Sequence, residues 1–220
     1  MSFDYILFDL DGTLTDPSEG IVNSVIYALK KHGIEETDRE KLCSFIGPPL
    51  IDAYMEHYGF SKEKAIKTVE FYREYFSVKG IFENRVYKGI PELLEKLYQS
   101  GKKIILATSK PDLFANKILE YFGILKHFYF VAGATMNETR TQKQEVIKYA
   151  LEECNITDTA NAVMIGDRKY DISGGKAFGL KTMGLLYGFG SNEEILNSAP
   201  DFTAKTVDEL ARILFKEEKL

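Results

Sequence analysis

The chain has 220 residues, of which 45% are hydrophobic and 28% are charged. This length lies between one and two domains of about 150 residues, and the composition is that of a globular protein, which excludes a disordered or fibrous chain. The 28 basic and 33 acidic side chains give a formal net charge of −5, which argues against general binding to a nucleic-acid polymer.

The first predicted element is a continuously apolar segment, Tyr-Ile-Leu-Phe, at residues 5–8. Parallel strands that are covered on both faces have this pattern. Similar segments follow at residues 103–107, 129–132, 162–165 and 182–186, and helical patterns occur at residues 90–97, 113–122, 146–151 and 207–214. This alternation predicts an α/β fold with a doubly wound, Rossmann-like parallel sheet.

Residues 17–84 break the alternation, because they contain helical patterns and no convincing buried strand. Apolar side chains recur at helical spacing within residues 21–29 and again within residues 65–76. We therefore predict a helical-bundle cap domain at residues 17–84, inserted into a core domain that comprises residues 1–16 and 85–220.

Polar side chains begin where three of the predicted strands end. Asp9 follows the first strand, Thr108 ends the second, and Asp167 follows the strand at residues 162–165. Ligands of open parallel sheets bind beyond the carboxyl ends of the strands. We therefore expect these side chains to meet in a binding site at that edge.

The segment Asp-Leu-Asp-Gly-Thr at residues 9–13 has a spacing that suits phosphate chemistry. Asp9 can present a carboxylate oxygen as a nucleophile, and Asp11 can carry a proton. Gly12 lets backbone N–H groups approach an anion closely, and Thr13 adds a hydroxyl group.

Four motifs together resemble the haloacid dehalogenase superfamily of phosphohydrolases. In chain order they are Asp-Leu-Asp-Gly-Thr-Leu-Thr-Asp at residues 9–16, Thr108-Ser109-Lys110, Lys143, and Gly-Asp-Arg-Lys-Tyr-Asp at residues 166–171. The helical insertion is similar to the small α-helical cap of this family. The Gly-Pro-Pro-Leu loop at residues 47–50 resembles the branch with phosphoglycolate phosphatases and bacterial 5′-nucleotidases.

The resemblance implies a phosphatase that hydrolyses a small phosphomonoester through an aspartyl-phosphate intermediate. Asp9 is then the nucleophile, while Asp11 protonates the leaving alkoxide and later deprotonates the attacking water. The implied cofactor is Mg²⁺, bound by Asp9, by the backbone carbonyl of Asp11 and by Asp167. Asp171 orients a water molecule or Asp167.

The same resemblance implies a set of phosphate contacts. Thr108 hydrogen-bonds the phosphoryl oxygens with help from the Ser109 N–H group, and Lys143 neutralises the charge that spreads onto those oxygens. Many relatives have a proline after this lysine, whereas Gln144 follows here. Lys110 is therefore an alternative for the charge clamp and a further candidate for phosphate binding.

Other assignments have two open interpretations. Lys148 is a third candidate for the clamp, or a solvent-exposed lysine. In the predicted cap, Gly47 is expected to face the active site, and Arg73 either contacts a substrate anion or pairs with a neighbouring glutamate. The cap tyrosines either stack on a nucleobase or belong to the core; they are Tyr54, Tyr58, Tyr72 and Tyr75.

Simpler structural roles compete with the catalytic ones. Asp9 is also placed to cap a helix, and Thr108 to stabilise a turn. The spacing of Asp167 and Asp171 also fits a solvated acidic face.

Several function classes are weighed against the phosphatase. The second acid, Asp11, argues against a dehalogenase, which needs no acid for its leaving group. A phosphomutase and a receiver-like signalling module with a phosphorylated aspartate stay as alternatives. No Gly-x-x-x-x-Gly-Lys-Ser/Thr segment occurs, so we expect no ATP-driven kinase, and Gly188-Phe189-Gly190 lacks the context of a dinucleotide fingerprint.

The remaining sequence features concern the cellular compartment and the partners of the protein. Cys43 and Cys154 stand in no metal-ligand spacing and are interpreted as free thiols of a reducing compartment. The N-terminus has no signal-peptide pattern, and no apolar run approaches the ~18 residues of a membrane span. We expect a cytoplasmic protein whose partner is a small phosphate ester, with no membrane partner; the oligomeric state is not predicted.

Overall fold

The computed structural model describes residues 3–137 and 139–215. The chain divides into two compact units. The first, here called the sheet unit, comprises residues 1–15 and 86–220 as far as they are described, and the second, the helical unit, comprises residues 16–85. The chain passes from one unit to the other between residues 15 and 16 and returns between residues 85 and 86, each one residue from the corresponding expected domain boundary.

Six parallel strands form the main sheet, and two further strands pair at the chain crossings. In chain order the eight strands are β1 (Tyr5–Phe8), β2 (Thr15–Asp16), β3 (Arg85–Val86), β4 (Lys103–Pro111), β5 (Phe128–Ala134), β6 (Ala162–Gly166), β7 (Lys181–Leu185) and β8 (Phe202–Ala204). The order across the main sheet is β5-β4-β1-β6-β7-β8, while β2 pairs with β3. The predicted α/β fold with a doubly wound parallel sheet is confirmed.

Ten α-helices accompany the strands among the described residues. The helical unit contains α1 (Ser18–Lys30), α2 (Arg39–Leu42), α3 (Leu50–Tyr58) and α4 (Lys62–Tyr75), and α4 continues into a π-helical turn at Phe76–Gly80. The sheet unit contains α5 (Ile90–Gln99), α6 (Asp112–Tyr121), α7 (Lys143–Glu153), α8 (Lys169–Ala177), α9 (Asn192–Asn197) and α10 (Val207–Phe215).

The central strand β1 determines where polar side chains converge. Its last residue, Phe8, pairs with Leu106 of β4 on one side and with Ile165 of β6 on the other. The chain continues from β1 to one side of the sheet and later returns to the other, so this is a topological switch point. The residues that follow these paired positions therefore share one edge.

The apolar runs of the strands form the core of the sheet unit. Leu7, Ile105 and Met164 lie on neighbouring strands and are fully buried, in one cluster with Val146 and Ile147 of α7. Burial on both faces of the sheet explains why these strands are apolar without alternation.

The helical unit has a core of its own. The α4 stripe is buried along its length, at Ala65, Val69 and Tyr72, and Phe76 follows it into the π-helical turn. Helix α1 packs on α4. Both helices therefore bury the faces that the sequence pattern predicts.

The structure differs from the prediction where segments are short. Strand β4 continues past residue 107 to Pro111, and neither α9 nor β8 was expected. With six and three residues respectively, these two elements are too short to show a period. Within the described part of the chain, no helix has both the length and the apolar character needed to cross a membrane.

Candidate active site

Three buried carboxylates meet at the carboxyl edge of the sheet. Asp9 follows β1, Asp167 follows β6, and Asp171 lies in the first turn of α8. Each offers a carboxylate oxygen, and these oxygens all lie within 4.8 Å of one another. The edge that the sequence marks as a binding site therefore carries a concentrated negative charge.

Lys143 supplies a positive charge inside this cluster. Its Nζ donates hydrogen bonds to Asp9 Oδ1 at 2.7 Å and to the Ala107 carbonyl at 2.9 Å, and it lies 2.8 Å from Asp171 Oδ1. Burial lowers the pKa of Lys143, but the carboxylates of Asp171 and Asp9 raise it further, so the net change is upward. The lysine therefore stays charged.

The start of α7 places Lys143 at this position. Glu145 accepts hydrogen bonds from the backbone N–H groups of Thr141 and Gln142, which fixes the helix start. The alternative candidate Lys148 points to solvent, with a side chain that is 61% exposed and 3.7 Å from Glu152.

Asp11 forms a separate ion pair with Lys110, the first alternative for the charge clamp. Its Oδ2 lies 2.6 Å from Lys110 Nζ, while its Oδ1 is buried without a hydrogen-bond partner among the described residues. Burial raises the pKa of Asp11, although Lys110 opposes this effect. The pairing of Lys110 with Asp11 was not expected from the sequence, because no spacing rule relates a residue after β1 to one in β4.

Asp167 is held by hydrogen bonds to both of its oxygens. Thr13 Oγ1 donates to Oδ1 at 3.2 Å, and the backbone N–H of Phe189 donates to Oδ2 at 2.7 Å. The side chain is fully buried. Burial, followed by the charges of Asp9 and Asp171, raises the pKa of Asp167 to about 8.

Asp171 also caps the helix on which it lies. Its Oδ2 accepts a hydrogen bond from the Arg168 N–H at 3.0 Å. Gly166 packs so closely against this carboxylate that a Cβ there would collide with it. Burial raises the pKa of Asp171, against the opposing charge of Lys143.

Gly12 and Thr13, two further candidates for phosphate binding, form hydrogen bonds within the turn after β1. The N–H of Gly12 donates to the Thr15 carbonyl and the N–H of Thr13 to the Leu10 carbonyl, so both donors are used within the turn. The Thr13 hydroxyl is directed at Asp167. Gly12 has a φ of 82°, and a Cβ at this position would collide with the Asp167 carboxylate. Both residues therefore shape the turn and support Asp167.

Thr108 and Ser109 lie in the same strand as Lys110, beyond the register with β1. Thr108 is buried, and its Oγ1 accepts a hydrogen bond from the Lys110 N–H at 3.2 Å. A hydroxyl oxygen that accepts this bond can still donate its own proton, so the contact is compatible with a phosphate contact. The half-buried Ser109 lies between the two residues.

The remaining candidates belong to the helical unit. Gly47 has a φ of 108° in the loop before α3, and Arg73 lies half-buried on α4.

The four tyrosines of this unit divide into two pairs. Tyr54 and Tyr72 are core residues that are only 0% and 5% exposed, respectively. This burial is evidence that these two tyrosines do not stack on a base. Tyr58 and Tyr75 are half-buried and donate hydrogen bonds to Glu36 and Glu83.

The carboxylate cluster fits a hard divalent cation. Three carboxylate oxygens within 4.8 Å of one another form the oxygen-only donor set that Mg²⁺ prefers. Lys143 contacts two of the three carboxylates, Asp9 and Asp171, while burial and then the charges of those two groups raise the pKa of Asp167. Asp9, Asp167 and Asp171 are thus the residues that would hold the ion.

Comparisons with known proteins point to one family. A model of the family described as haloacid dehalogenase-like hydrolase matches residues 6–185. A 5′-nucleotidase of Pseudomonas aeruginosa is 44% identical to this chain, over 95% of the chain and 94% of that protein. Tyrosine-protein kinase PtkA of Mycobacterium tuberculosis is 34% identical, over 95% of the chain and 72% of that protein.

The fold has a counterpart among solved structures. The crystal structure of a predicted phosphatase from Clostridium acetobutylicum superposes with a TM-score of 0.94 and 43% sequence identity. The match covers 98% of this chain and 100% of the other.

Proposed function

We infer the function of this chain from its family: it belongs to the haloacid dehalogenase-like hydrolases. This confirms the family resemblance and the class of enzyme expected from the four motifs. We propose that the chain is a Mg²⁺-dependent phosphatase that hydrolyses small phosphomonoesters through an aspartyl-phosphate. The observation that carries the proposal is the buried Asp9, paired with Lys143 and placed in a cluster of three carboxylates.

Asp9 is the proposed nucleophile. One of its carboxylate oxygens forms a bond to phosphorus while the bond from phosphorus to the ester oxygen breaks. The lysine contact at 2.7 Å holds the carboxylate in one orientation.

Asp11 is the proposed acid and base. In this role Asp11 gives a proton to the leaving alkoxide, and the role is supported by burial, which raises the pKa of Asp11 against the opposing charge of Lys110. The resulting carboxylate then takes a proton from water as the water oxygen attacks phosphorus. Phosphate leaves, and both aspartates return to their first state.

The proposed phosphate contacts are Lys143, Thr108, Ser109 and Lys110, with Gly12 and Thr13 as further candidates. Lys143 is charged and buried, which makes its field strong where negative charge spreads during transfer. Lys110 combines this role with its ion pair to Asp11.

The proposed cofactor is Mg²⁺, bound by Asp9, Asp167 and Asp171 and, as the resemblance implies, by the carbonyl of Asp11. When bound, the ion offsets the repulsion between the carboxylate nucleophile and the phosphate dianion.

The proposed substrates are nucleoside 5′-monophosphates, with 2-phosphoglycolate as the second class. The support for nucleotides is the relative named a 5′-nucleotidase, which matches nearly the whole chain. Residues 17–84 are the proposed cap, which opens for substrate and excludes bulk water, with Gly47 and Arg73 as its proposed substrate contacts. We place the enzyme in the cytoplasm, where the free thiols of Cys43 and Cys154 stay reduced.

The test is a steady-state screen of the purified protein with Mg²⁺ against a panel of phosphate esters. The panel contains every nucleoside monophosphate, 2-phosphoglycolate and a glucose phosphate, which covers the phosphomutase alternative. We expect turnover of one class, loss of turnover with EDTA, and loss of turnover in Asp9→Asn. The exposed Asp4→Asn is the matched control and should retain full activity.

Two results would contradict the proposal. Turnover that persists in EDTA would remove the metal from the mechanism, and substantial turnover in Asp9→Asn would reject the nucleophile. A stable phosphorylated Asp9 with no release of phosphate would instead favour the receiver-like alternative.

A further inference from the structure

The loop at residues 187–190 lies outside the four sequence motifs. It lies between β7 and α9, beyond residue 185, where the match to the family model ends. Its sequence is Tyr187-Gly188-Phe189-Gly190, and it contains the two glycines that lack the context of a dinucleotide fingerprint.

The loop contacts Asp167 directly. The backbone N–H of Phe189 donates a hydrogen bond of 2.7 Å to Asp167 Oδ2. The other carboxylate oxygen, Oδ1, accepts from Thr13. Asp167 is therefore oriented from two sides, by the turn after β1 and by the 187–190 loop.

Both glycines of the loop pack against Asp167. A Cβ added at Gly188 would collide with the Asp167 side chain, and one added at Gly190 would collide with the Asp167 carbonyl oxygen. Neither glycine has a φ in the left-handed region. What excludes a side chain at these positions is therefore the approach to Asp167, whereas the backbone conformation is open to other residues.

Tyr187 fixes the near end of the loop. Its hydroxyl donates to the carbonyl of Thr13 at 3.0 Å, and its ring packs edge-on against Tyr87 with centroids 5.1 Å apart. The loop is thus tied to the same turn whose Thr13 hydroxyl holds Asp167.

We propose that residues 187–190 form a positioning loop that fixes the Asp167 carboxylate for a divalent cation. In this loop Gly188 packs against the carboxylate and the Phe189 N–H donates a hydrogen bond to it. The inference rests on the proposed function, because it takes Asp167 as a ligand of Mg²⁺. Substitution of a group that orients a metal ligand typically lowers the affinity for the metal 10-fold to 100-fold.

The test is isothermal titration of the metal-free, full-length protein with Mg²⁺. In Gly188→Ala the added methyl group displaces the Asp167 carboxylate, so we expect the Kd for Mg²⁺ to rise by about tenfold or more. The matched control is Gly184→Ala, for which the three atoms nearest to the added methyl group belong to the apolar side chains of Ile195 and Pro200. It should show a comparable loss of stability, with the Kd for Mg²⁺ within about twofold of the original.

The outcomes separate this inference from the proposed function. If the unchanged protein binds Mg²⁺ and Gly188→Ala binds it equally well, the positioning loop is rejected and the phosphatase proposal stands. If the unchanged protein binds no Mg²⁺, both are rejected.

A double variant covers the case in which Gly188→Ala does not fold. In an Asp167→Gly background the three atoms nearest to the added methyl group are absent. We expect the double variant Gly188→Ala/Asp167→Gly to unfold at the same urea concentration as Asp167→Gly alone. A large further loss of stability would show that the methyl group collides elsewhere, and would overturn the assignment.

Discussion

Lys143 is the residue on which the charge balance of the site depends. Its ammonium group contacts Asp9 and Asp171, and all three side chains are at least 89% buried. A buried charge that loses its partner costs several kcal/mol, because no water replaces the lost interaction. We therefore expect both the stability and the activity of the protein to depend on the Nζ of Lys143.

We predict that Lys143→Met abolishes turnover and lowers the free energy of unfolding by about 3–5 kcal/mol. The matched control on the same helix is Lys148→Met, whose side chain is 61% exposed. Such a surface change should lie within about 0.5 kcal/mol of the original protein. Urea unfolding in EDTA measures both variants, and an equal loss in the two would contradict the assigned role.

Helices α8 and α9 illustrate how an element outside the motifs supports the site. Glu194 of α9 accepts hydrogen bonds from Arg168 Nε and from the Lys169 N–H, each at 2.9 Å. Both residues lie at the start of α8, the helix that carries Asp171. The short helix α9 therefore caps the helix that presents a carboxylate to the site.

Removing the Glu194 contacts to the start of α8 should destabilise the protein measurably. We predict that Glu194→Ala lowers the free energy of unfolding by about 1–3 kcal/mol, since the Arg168–Glu194 pair is only 16% and 20% exposed. Its exposed neighbour in α9, Glu193→Ala, is the control and should change stability by less than about 0.5 kcal/mol. Thermal unfolding of the two variants decides the matter; a larger effect at Glu193 would refute the capping role.

The strands and long helices could be predicted from the sequence because they carry unbroken periodic patterns. Tyr5–Phe8 is apolar throughout, and it leads directly to Asp9. The contacts of Phe189 with Asp167 could not be predicted, since a backbone N–H donor leaves no trace in residue identity. The glycines beside it were visible, but the residue that they approach is fixed by tertiary packing alone.

For the molecule as a whole, the clustered carboxylates link stability to pH. The pKa of Asp167 is raised to about 8 in the folded chain against an ordinary value of 3.8. Between these values the folded state keeps a proton that the unfolded state releases, so stability falls as pH rises. A bound cation would remove this dependence by replacing the proton.

We predict that the metal-free protein loses about 2–3 kcal/mol of unfolding free energy between pH 6 and pH 9 through this carboxyl group. Urea unfolding in EDTA over this range gives the slope. The same series with Mg²⁺ should be flatter, and Asp167→Asn in EDTA should lose most of the slope. A metal-free stability that rises from pH 6 to pH 9 would contradict the assignment.

Covalent catalysis through Asp9 can be tested by a rapid-quench reaction of Asp11→Asn with 4-nitrophenyl phosphate and Mg²⁺. Nitrophenolate leaves without an acid, so Asp9 should still be phosphorylated, but the water step lacks its base. We predict a burst of about one nitrophenolate per protein molecule followed by slow turnover, with the phosphoryl group found on Asp9 by mass spectrometry. No burst and an unmodified Asp9 would contradict a covalent mechanism through this residue.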